Sequence, residues 1–280
     1  MSSYAYYNGI FDKRKNISIP LSDRAIFFGD AIYDAAIGCY DRILWEKEHI
    51  ERFLNNARII GIKHEYTYEK LSALLREVAI KSMLKSYFIY FQLSRMSISR
   101  VHSAKNCESN LLITIDPFSI NKSNSPIKLK TVNDVRYSLC NIKTTNLLPN
   151  VLASTAAEDD DCDEAVYIRD GYVTECSKSN ILIIKQGRII THPKTEHFLP
   201  GIARAHILSD CAYLNIPFED RPFSYEELIS ADEVLVSSTT KLVCRANKIN
   251  GNPVGGKDDL LFTALRKELY EEYTNFCVLG

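Results

Sequence analysis

Residues 136–180 have the sequence RYSLCNIKTTNLLPNVLASTAAEDDDCDEAVYIRDGYVTECSKSN, and this stretch decides the fold. Apolar and polar residues alternate from Val135 to Leu139, which predicts a strand. Residues 147–158 predict a helix, with Pro149 tolerated in its first turn. The turn at residues 169–171, RDG, then predicts a hairpin. The predicted order is therefore strand, helix, hairpin.

Two residues of this stretch carry chemistry. Lys143 follows the predicted strand and precedes the helix, so its position is expected to be constrained. In a partly dry site the pKa of a lysine falls, and the free amine becomes a nucleophile. Glu175 is a carboxylate with no obvious basic partner nearby in sequence, and a protonated ring nitrogen would supply one. Taken singly, an exposed lysine and a turn glutamate are the ordinary interpretations.

Composition bounds the class of protein. The chain has 280 residues, 46% of them hydrophobic and 25% charged, which suits one large or two modest globular domains. A formal net charge of −1 offers no electrostatic reason to bind nucleic acid or an anionic membrane. No apolar stretch approaches the roughly 20 residues of a membrane helix, and the N-terminus lacks signal-peptide features. We expect a cytoplasmic protein.

The eight cysteines are scattered and form no CxxC pair. We expect reduced thiols rather than disulfides, and no zinc or other metal site. The acidic run EDDDCDE, residues 158–164, could in principle bind a divalent cation, but a solvated helix end is the favoured interpretation.

Periodicity predicts the remaining elements. A hairpin is expected over residues 4–13 around Asn8-Gly9. Further strands are expected at 32–39, 43–45, 87–93, 111–115, 181–184, 233–236 and on both sides of Asn250-Gly251. Helices are expected at 46–60, 68–84, 201–214 and 257–275. The Pro-, Ser- and Asn-rich stretch 116–126 predicts a linker.

The segments DVRYSLCNIKTTNLLPNVLA and GYVTECSKSNILII resemble the core of the class IV (fold type IV) pyridoxal-phosphate aminotransferases. That group includes D-amino-acid transaminases, branched-chain L-amino-acid transaminases and aminodeoxychorismate lyases. The resemblance runs from YYNGIF near the N-terminus almost to the C-terminus. It implies a two-domain α+β fold, with a small α/β domain at 1–118, a linker at 119–126, and a larger pseudo-barrel, cofactor-binding domain at 127–280.

The resemblance implies roles at the reacting centre. Lys143 would be the catalytic residue: it would hold pyridoxal 5'-phosphate and, once displaced by substrate, move the proton from the substrate Cα to the cofactor. Glu175 would pair with the ring nitrogen and make the ring an electron sink. Leu199 would pack against the ring.

The resemblance also implies a second set of residues, which would bind the cofactor phosphate. Arg52, in HIER (49–52), would bind it; without the resemblance this arginine would be placed on the surface beside Glu48. The segment LPGIAR (199–204) opens a helix, so the amides of Ile202 and Ala203 offer an anion site. Relatives often carry threonine at position 203. By resemblance, Ser238 and Thr239 in SSTT (237–240) contact the phosphate region.

Substrate handedness depends on Arg100 and His102, an RxH pair that resembles the α-carboxylate trap of D-amino-acid transaminases. Two residues apart on an extended chain, their side chains share a face. With Tyr33 they would bind a carboxylate. In the relatives this trap comes from the partner subunit, which implies a homodimer. The flanks depart from the usual pattern, because Ser99 stands where proline is common.

These observations predict a homodimeric enzyme that transfers the amino group of D-amino acids to 2-oxo acids, as in D-alanine plus 2-oxoglutarate giving pyruvate and D-glutamate. The alternatives within the family are a branched-chain L-amino-acid aminotransferase and an aminodeoxychorismate lyase. Outside the family, the alternative is a P-loop-like nucleotide-binding protein. GNPVGGK (251–257) fits the first seven positions of a P-loop, but Asp258 replaces the required Ser or Thr. We interpret it as a turn before the last helix.

Overall fold

A computed structural model describes residues 3–97, 99–105, 107–121 and 123–278. The chain divides into two compact units. The first unit comprises Met1–Ile120, Ile142–Asn146 and Asn275–Gly280; the second comprises Asn121–Asn141 and Leu147–Thr274. Of the linker expected at 119–126, Lys122 lies outside the described residues.

The first unit contains an antiparallel six-stranded sheet with the order β2-β1-β6-β5-β3-β4. Its elements are β1 (Tyr4–Tyr7), β2 (Ile10–Lys13), α1 (Arg24–Phe28), β3 (Ala31–Cys39), β4 (Arg42–Ile43), α2 (Glu46–Ile59), α3 (Tyr68–Ser82), β5 (Ser86–Met96) and β6 (Glu108–Pro117).

Helices α2 and α3 supply the apolar core of the first unit. Phe53 of α2 and Leu75 of α3 are fully buried, as is Phe91 of β5. Residues of β5 alternate between buried and half-buried, so one face of the sheet packs on the helices and the other stays partly accessible. This accessible face carries Tyr33 of β3.

The second unit is built on a nine-stranded sheet with the order β12-β11-β10-β13-β14-β7-β8-β9, and β15 pairs with β14. Its strands are β7 (Ile127–Asn133), β8 (Glu164–Arg169), β9 (Tyr172–Cys176), β10 (Asn180–Lys185), β11 (Arg188–Thr191), β12 (Phe218–Asp220), β13 (Glu233–Ser238), β14 (Leu242–Ile249) and β15 (Asn252–Pro253). Its helices are α4 (Leu148–Asp159), α5 (Ile202–Tyr213), α6 (Tyr225–Ser230) and α7 (Asp259–Val278), whose last residues fall in the first unit.

Most predicted elements are confirmed, but the strand predicted at 135–139 is wrong. Residues 134–143 form a loop, and the strand lies earlier, at β7. The alternation was misleading because its apolar members face solvent: Val135 is 73% exposed and Leu139 48%. Arg136, between them, is buried by ionic contacts. Elements α1, β11, β12 and α6 were not predicted from the sequence.

The expectation of eight reduced thiols is wrong for one pair, because Cys39 and Cys277 form a disulfide within the first unit. The other six cysteines are free. Lysines pair with acidic residues of the run at 158–164: Lys130 Nζ lies 2.7 Å from Asp160, and Lys241 Nζ lies 2.6 Å from Glu164. Among the described residues, no group of three or more His, Cys, Asp or Glu side chains is arranged to hold a metal ion.

The P-loop-like segment has a structural role. Lys257 Nζ donates to the carbonyl of Ala231 at 3.2 Å, and the Asp258 N–H donates to Glu233 at 3.3 Å. Lys257 therefore holds the turn that precedes α7, which agrees with the interpretation of this segment as a turn. None of the helices within the described residues is both long and apolar enough to cross a membrane.

A half-buried carboxyl group between α5 and α7 generates a pH-dependent prediction. Burial and then the charge of Glu272 raise the pKa of Asp210 to about 6, against the opposing charge of His206. A raised folded-state pKa means that folded Asp210 keeps a proton where the unfolded chain has lost it. The free energy of unfolding therefore falls as the pH rises from about 4 to about 6.

We predict that Asp210→Asn, which is neutral at every pH, raises the melting temperature at pH 8 relative to the parent protein. At pH 4 the two melting temperatures converge. The matched control is Glu271→Gln, an exposed residue of α7, which leaves both values nearly unchanged. Equal melting temperatures of Asp210→Asn and the parent at pH 8 would contradict the prediction.

Candidate active site

Glu175 of β9 is the central buried charge of the second unit, with 5% of its surface exposed. Its Oε1 accepts a hydrogen bond from Arg136 Nη1. Its Oε2 accepts from Asn180 Nδ2 at 3.1 Å and from the Leu199 N–H at 3.2 Å. A buried carboxyl group loses its charge unless a cation and hydrogen-bond donors stabilise it. These three donors favour the ionised form and fix its orientation.

The cationic partner that the sequence analysis sought in a ring nitrogen is present in the chain itself. Arg136 lies 39 residues before Glu175 and also binds Asp134, with Nε 2.9 Å from Oδ1. Its guanidinium stacks over the Tyr167 ring at 4.1 Å. Burial alone would lower the pKa of Arg136, but its bonds to Asp134 and the charge of Glu175 raise the pKa well above its ordinary value.

Asn180, at the start of β10, connects Glu175 to the segment before α5. Its Nδ2 also donates to the Leu199 carbonyl at 2.9 Å, and its Oδ1 accepts from the Gly201 N–H at 3.0 Å. In the sheet Asn180 lies opposite Ser237 of β13. One side chain therefore holds the carboxylate and the entry to α5 beside the end of β13. The sequence analysis missed this role, although Asn180 ends the stretch from which it began.

The N-terminus of α5 is shaped by Gly201. A Cβ at this position would lie 2.0 Å from Asn180 Oδ1, so only glycine fits. The helix then begins at Ile202, and the first intrahelical bond is from the Ala205 N–H to the Gly201 carbonyl at 3.1 Å. Amides in the first turn lack intrahelical acceptors and lie at the positive end of the helix dipole, so those of Ile202 and Ala203 suit an anion.

Ser238 and Thr239 stand where β13 ends and a turn begins. The Lys241 N–H donates to Ser238 Oγ at 3.3 Å. The Lys241 ammonium pairs with Glu164, which is buried on β8. This ion pair anchors the hydroxyl-bearing turn, a second role that the sequence analysis missed.

Lys143 belongs to the first unit and lies in the loop that replaces the predicted strand. Its carbonyl accepts from the Tyr33 N–H at 2.9 Å, and Thr144 forms a bridge with Ile32. Its half-buried ammonium lies 4.5 Å from the centroid of the Tyr33 ring. The position of the lysine is therefore constrained by β3, and Tyr33 and Lys143 are brought together as a pair.

Arg52 binds a carboxylate that the sequence analysis did not identify. Its Nε and Nη2 each lie 2.8 Å from an oxygen of Asp34, which is fully buried on β3. His49, one turn earlier on α2, bonds Asp34 through Nδ1 at 2.8 Å. The HIER spacing puts His49 and Arg52 on one helix face. Arg52 therefore belongs to a buried ionic cluster with Asp34 and His49.

Electrostatics explain how Asp34 remains charged. Burial would raise its pKa, but the charge of Arg52 and the hydrogen bonds from Arg52 and His49 hold the pKa of Asp34 well below its usual range. Burial lowers the pKa of His49, and the charges of Arg52 and Lys143 add to that effect against the opposing Asp34. The histidine is therefore a neutral orienting group, and Arg52 carries the positive charge of the cluster.

Arg100 and His102 lie on an exposed loop of the first unit. Both contact the same ring: the Arg100 guanidinium is 5.1 Å and the His102 ring 5.3 Å from the centroid of Phe28. Arg24 fixes the loop backbone by donating to the carbonyls of Val101, at 2.5 Å, and His102, at 2.9 Å. The Arg100 guanidinium and the His102 imidazole therefore lie at the surface, on a loop whose backbone Arg24 holds in place.

Comparison with known proteins gives the family. The family model for amino-transferase class IV matches residues 40–249. The chain belongs to the class IV aminotransferases. It is 34% identical over 272 residues to a D-alanine aminotransferase of Staphylococcus aureus (strain MSSA476), covering 96% of each chain. The expected family and its aminotransferase activity are confirmed.

Solved structures establish the fold of this aminotransferase. The branched-chain aminotransferase of Thermoproteus uzoniensis with norvaline superposes with a TM-score of 0.89 at 21% identity, covering 99% of this chain and 97% of the other. A branched-chain amino acid aminotransferase from Escherichia coli gives a TM-score of 0.86 at 21% identity, with 98% and 94% covered. The expected α+β class IV fold, with a curled half-barrel sheet, is confirmed.

The Glu175–Arg136 pair generates a stability prediction. We expect Arg136→Met to lower the free energy of unfolding by about 3–5 kcal/mol, because it removes the cation that is bonded to the buried Glu175 carboxylate. The control is Arg169→Met, which removes a more exposed arginine whose Nη2 lies 3.2 Å from the same Asp134. This change should lower the free energy of unfolding by about 1 kcal/mol or less. Urea unfolding measures both. Equal stabilities of the two variants would show that Arg136 does not compensate Glu175.

Proposed function

We propose that this protein is an aminotransferase for D-amino acids that uses pyridoxal 5'-phosphate and 2-oxo acids such as 2-oxoglutarate. The observation that carries the proposal is the 34% identity to D-alanine aminotransferase across 96% of the chain. Arg100 and His102 support the D preference, because this pair resembles the α-carboxylate trap of D-amino-acid transaminases. The branched-chain structures similar to this one are about 21% identical, which is evidence of fold alone.

The donor set of the second unit fits the cofactor. Asn180 brings an ionised carboxylate, a helix N-terminus and the strand that ends at Ser238 into one region, and these match a protonated ring nitrogen and a phosphate. Glu175 would hold the nitrogen, while Ile202, Ala203 and the hydroxyls of Ser238 and Thr239 would hold the phosphate. Leu199, whose N–H is fixed on Glu175, would pack against the ring. When bound, the cofactor supplies an electron sink for the carbanion at the substrate Cα.

Two residues of the first unit complete the assignment. Lys143 would hold the cofactor covalently and carry the proton between the two reacting carbons through Nζ. The backbone bond from Tyr33 to Lys143 limits the movement of that amine. Arg52 would bind the phosphate, with Asp34 and His49 setting the plane of its guanidinium.

Substrate binding is assigned to Tyr33, Arg100 and His102, which would hold the α-carboxylate. An exposed RxH loop backed by Phe28 and Arg24 suits a trap that serves a neighbouring subunit, and we therefore propose a homodimer. The two-domain boundaries at 118 and 127 and the cytoplasmic location stay predictions.

A single-turnover experiment tests the function. Purified protein loaded with pyridoxal phosphate is mixed with D-alanine or with L-leucine as the sole amino donor, and the visible band of the bound cofactor is followed. We expect D-alanine to abolish the band and L-leucine to leave it. Loss with L-leucine alone would transfer the protein to the branched-chain L-enzymes, and absence of any band would overturn the cofactor assignment.

Lys143→Ala is the mechanistic variant of that experiment. Without the amine there is no proton carrier, so we expect the rate of the half-reaction with D-alanine to fall by about a thousandfold or more. Lys105→Ala, an exposed lysine in the first unit, is the control and should keep the parent rate. A full rate in Lys143→Ala would refute its catalytic role.

Arg100→Ala tests the carboxylate trap. Loss of a charge-assisted hydrogen bond of roughly 1.5–3 kcal/mol should raise the KM of D-alanine by about 10- to 100-fold. The cofactor band should be unchanged, since this loop contains none of the proposed cofactor contacts. Lys105→Ala again serves as the control, because it removes a positive charge nearby in sequence. An unchanged KM in Arg100→Ala would remove this residue from the trap.

A further inference from the structure

The accessible face of the first unit's sheet carries a polar residue that the proposed mechanism does not use. Gln92 of β5 lies directly opposite Tyr33 of β3, and Tyr90 lies opposite Ala35. Gln92, Tyr90 and Tyr33 are all half-buried, whereas Phe91 and Leu93 are buried on the helix side. Directly opposite residues on one face have Cβ atoms about 5 Å apart. Gln92 is therefore an immediate neighbour of the proposed substrate residue Tyr33.

The orientation of Gln92 is fixed by a tyrosine pair. The Tyr90 hydroxyl donates to Gln92 Oε1 at 2.6 Å. The Tyr90 ring stacks on the Tyr33 ring, with centroids 5.2 Å apart and planes 25° apart. Burial, and then Tyr33, raise the pKa of Tyr90 well above its ordinary value, so its hydroxyl stays a donor. The Oε1 atom of Gln92 is therefore already hydrogen-bonded within the protein.

The other end of the amide carries two N–H donors on Nε2. The bond from Tyr90 is the single hydrogen bond of the Gln92 side chain within residues 3–97, 99–105, 107–121 and 123–278. Lys143 Nζ lies over the Tyr33 ring at 4.5 Å, so the amide donors lie on the same part of the face as the proposed reacting amine. N–H donors at this position suit a carboxylate.

We infer that Gln92 is a substrate-binding residue, which donates a hydrogen bond from Nε2 to a carboxylate of the substrate beside Tyr33. The inference rests on the proposed function and deepens it. The carboxylate is either the α-carboxylate, present in every substrate, or the side-chain carboxylate of a dicarboxylic substrate such as 2-oxoglutarate. Both have the same chemistry, and Tyr90 acts as the positioning residue that turns the amide toward it.

The test measures the dissociation constants of pyruvate and 2-oxoglutarate, by calorimetry on the cofactor-loaded protein, for the parent, Gln92→Leu and Gln92→Glu. Both 2-oxo acids serve D- and L-specific enzymes alike, so the result is independent of handedness. We expect Gln92→Leu to weaken 2-oxoglutarate binding by about 10- to 100-fold. Gln92→Glu should weaken it further, because it sets a carboxylate against a carboxylate.

Pyruvate distinguishes the two carboxylates, because it has an α-carboxylate but no side-chain carboxylate. Equal weakening of pyruvate and 2-oxoglutarate assigns Gln92 to the α-carboxylate, and weakening of 2-oxoglutarate alone assigns it to the side-chain carboxylate. Unchanged dissociation constants for both acids in Gln92→Leu overturn the inference. The visible band and the melting temperature should match those of the parent. Failure of the proposed function differs, because it appears as a parent protein without band or turnover.

Tyr90→Phe tests the positioning role. Without the Tyr90 hydroxyl, the amide of Gln92 loses its fixed orientation. We therefore expect the dissociation constant of 2-oxoglutarate to rise by about three- to tenfold, less than in Gln92→Leu. In the Gln92→Leu background the same change should have no additional effect, since the two residues act as a unit. The matched control is Phe88→Leu, two residues before Tyr90 on the same face of β5. It should leave the dissociation constants of pyruvate and 2-oxoglutarate unchanged. Additive effects of Tyr90→Phe and Gln92→Leu would refute the positioning role.

Discussion

The charge of the buried Glu175 carboxylate is the constraint on which the second unit depends. A carboxylate removed from water must be compensated by a cation and by hydrogen bonds, or it takes up a proton. Arg136, Asn180 and the Leu199 amide meet this requirement, and each brings its own segment of chain to the same place. In the loop that contains Arg136, the arginine is buried while Val135 and Leu139 are exposed.

The first unit follows the same rule with a different set of residues. Asp34 is fully buried on β3, and two residues of one helix turn, His49 and Arg52, compensate its charge. Tyr33, its neighbour on the strand, points to the opposite face and contacts Lys143. One strand therefore orients an arginine on its helix side and a lysine on its accessible side. This arrangement follows from the alternation of side chains along a strand.

Sequence reasoning succeeded where function depends on short, contiguous motifs. The hairpin before Glu175 and the start of α5 after LPG are local features, since turn chemistry determines them. It failed at partners distant in sequence. Arg136 and Glu175 are 39 residues apart, and the Tyr33–Lys143 contact joins β3 to a distant loop. Periodicity carries no information about such contacts.

The sequence by itself determined the class IV fold and the aminotransferase family, because the resemblance to that family runs along nearly the whole chain. Only the tertiary structure decided which charges compensate one another. It placed Arg136 on Glu175, Asp34 on Arg52 and Tyr90 on Gln92. The physical reason is that ion pairs and hydrogen bonds are set by distance in space, and chain packing brings together groups that no local pattern relates.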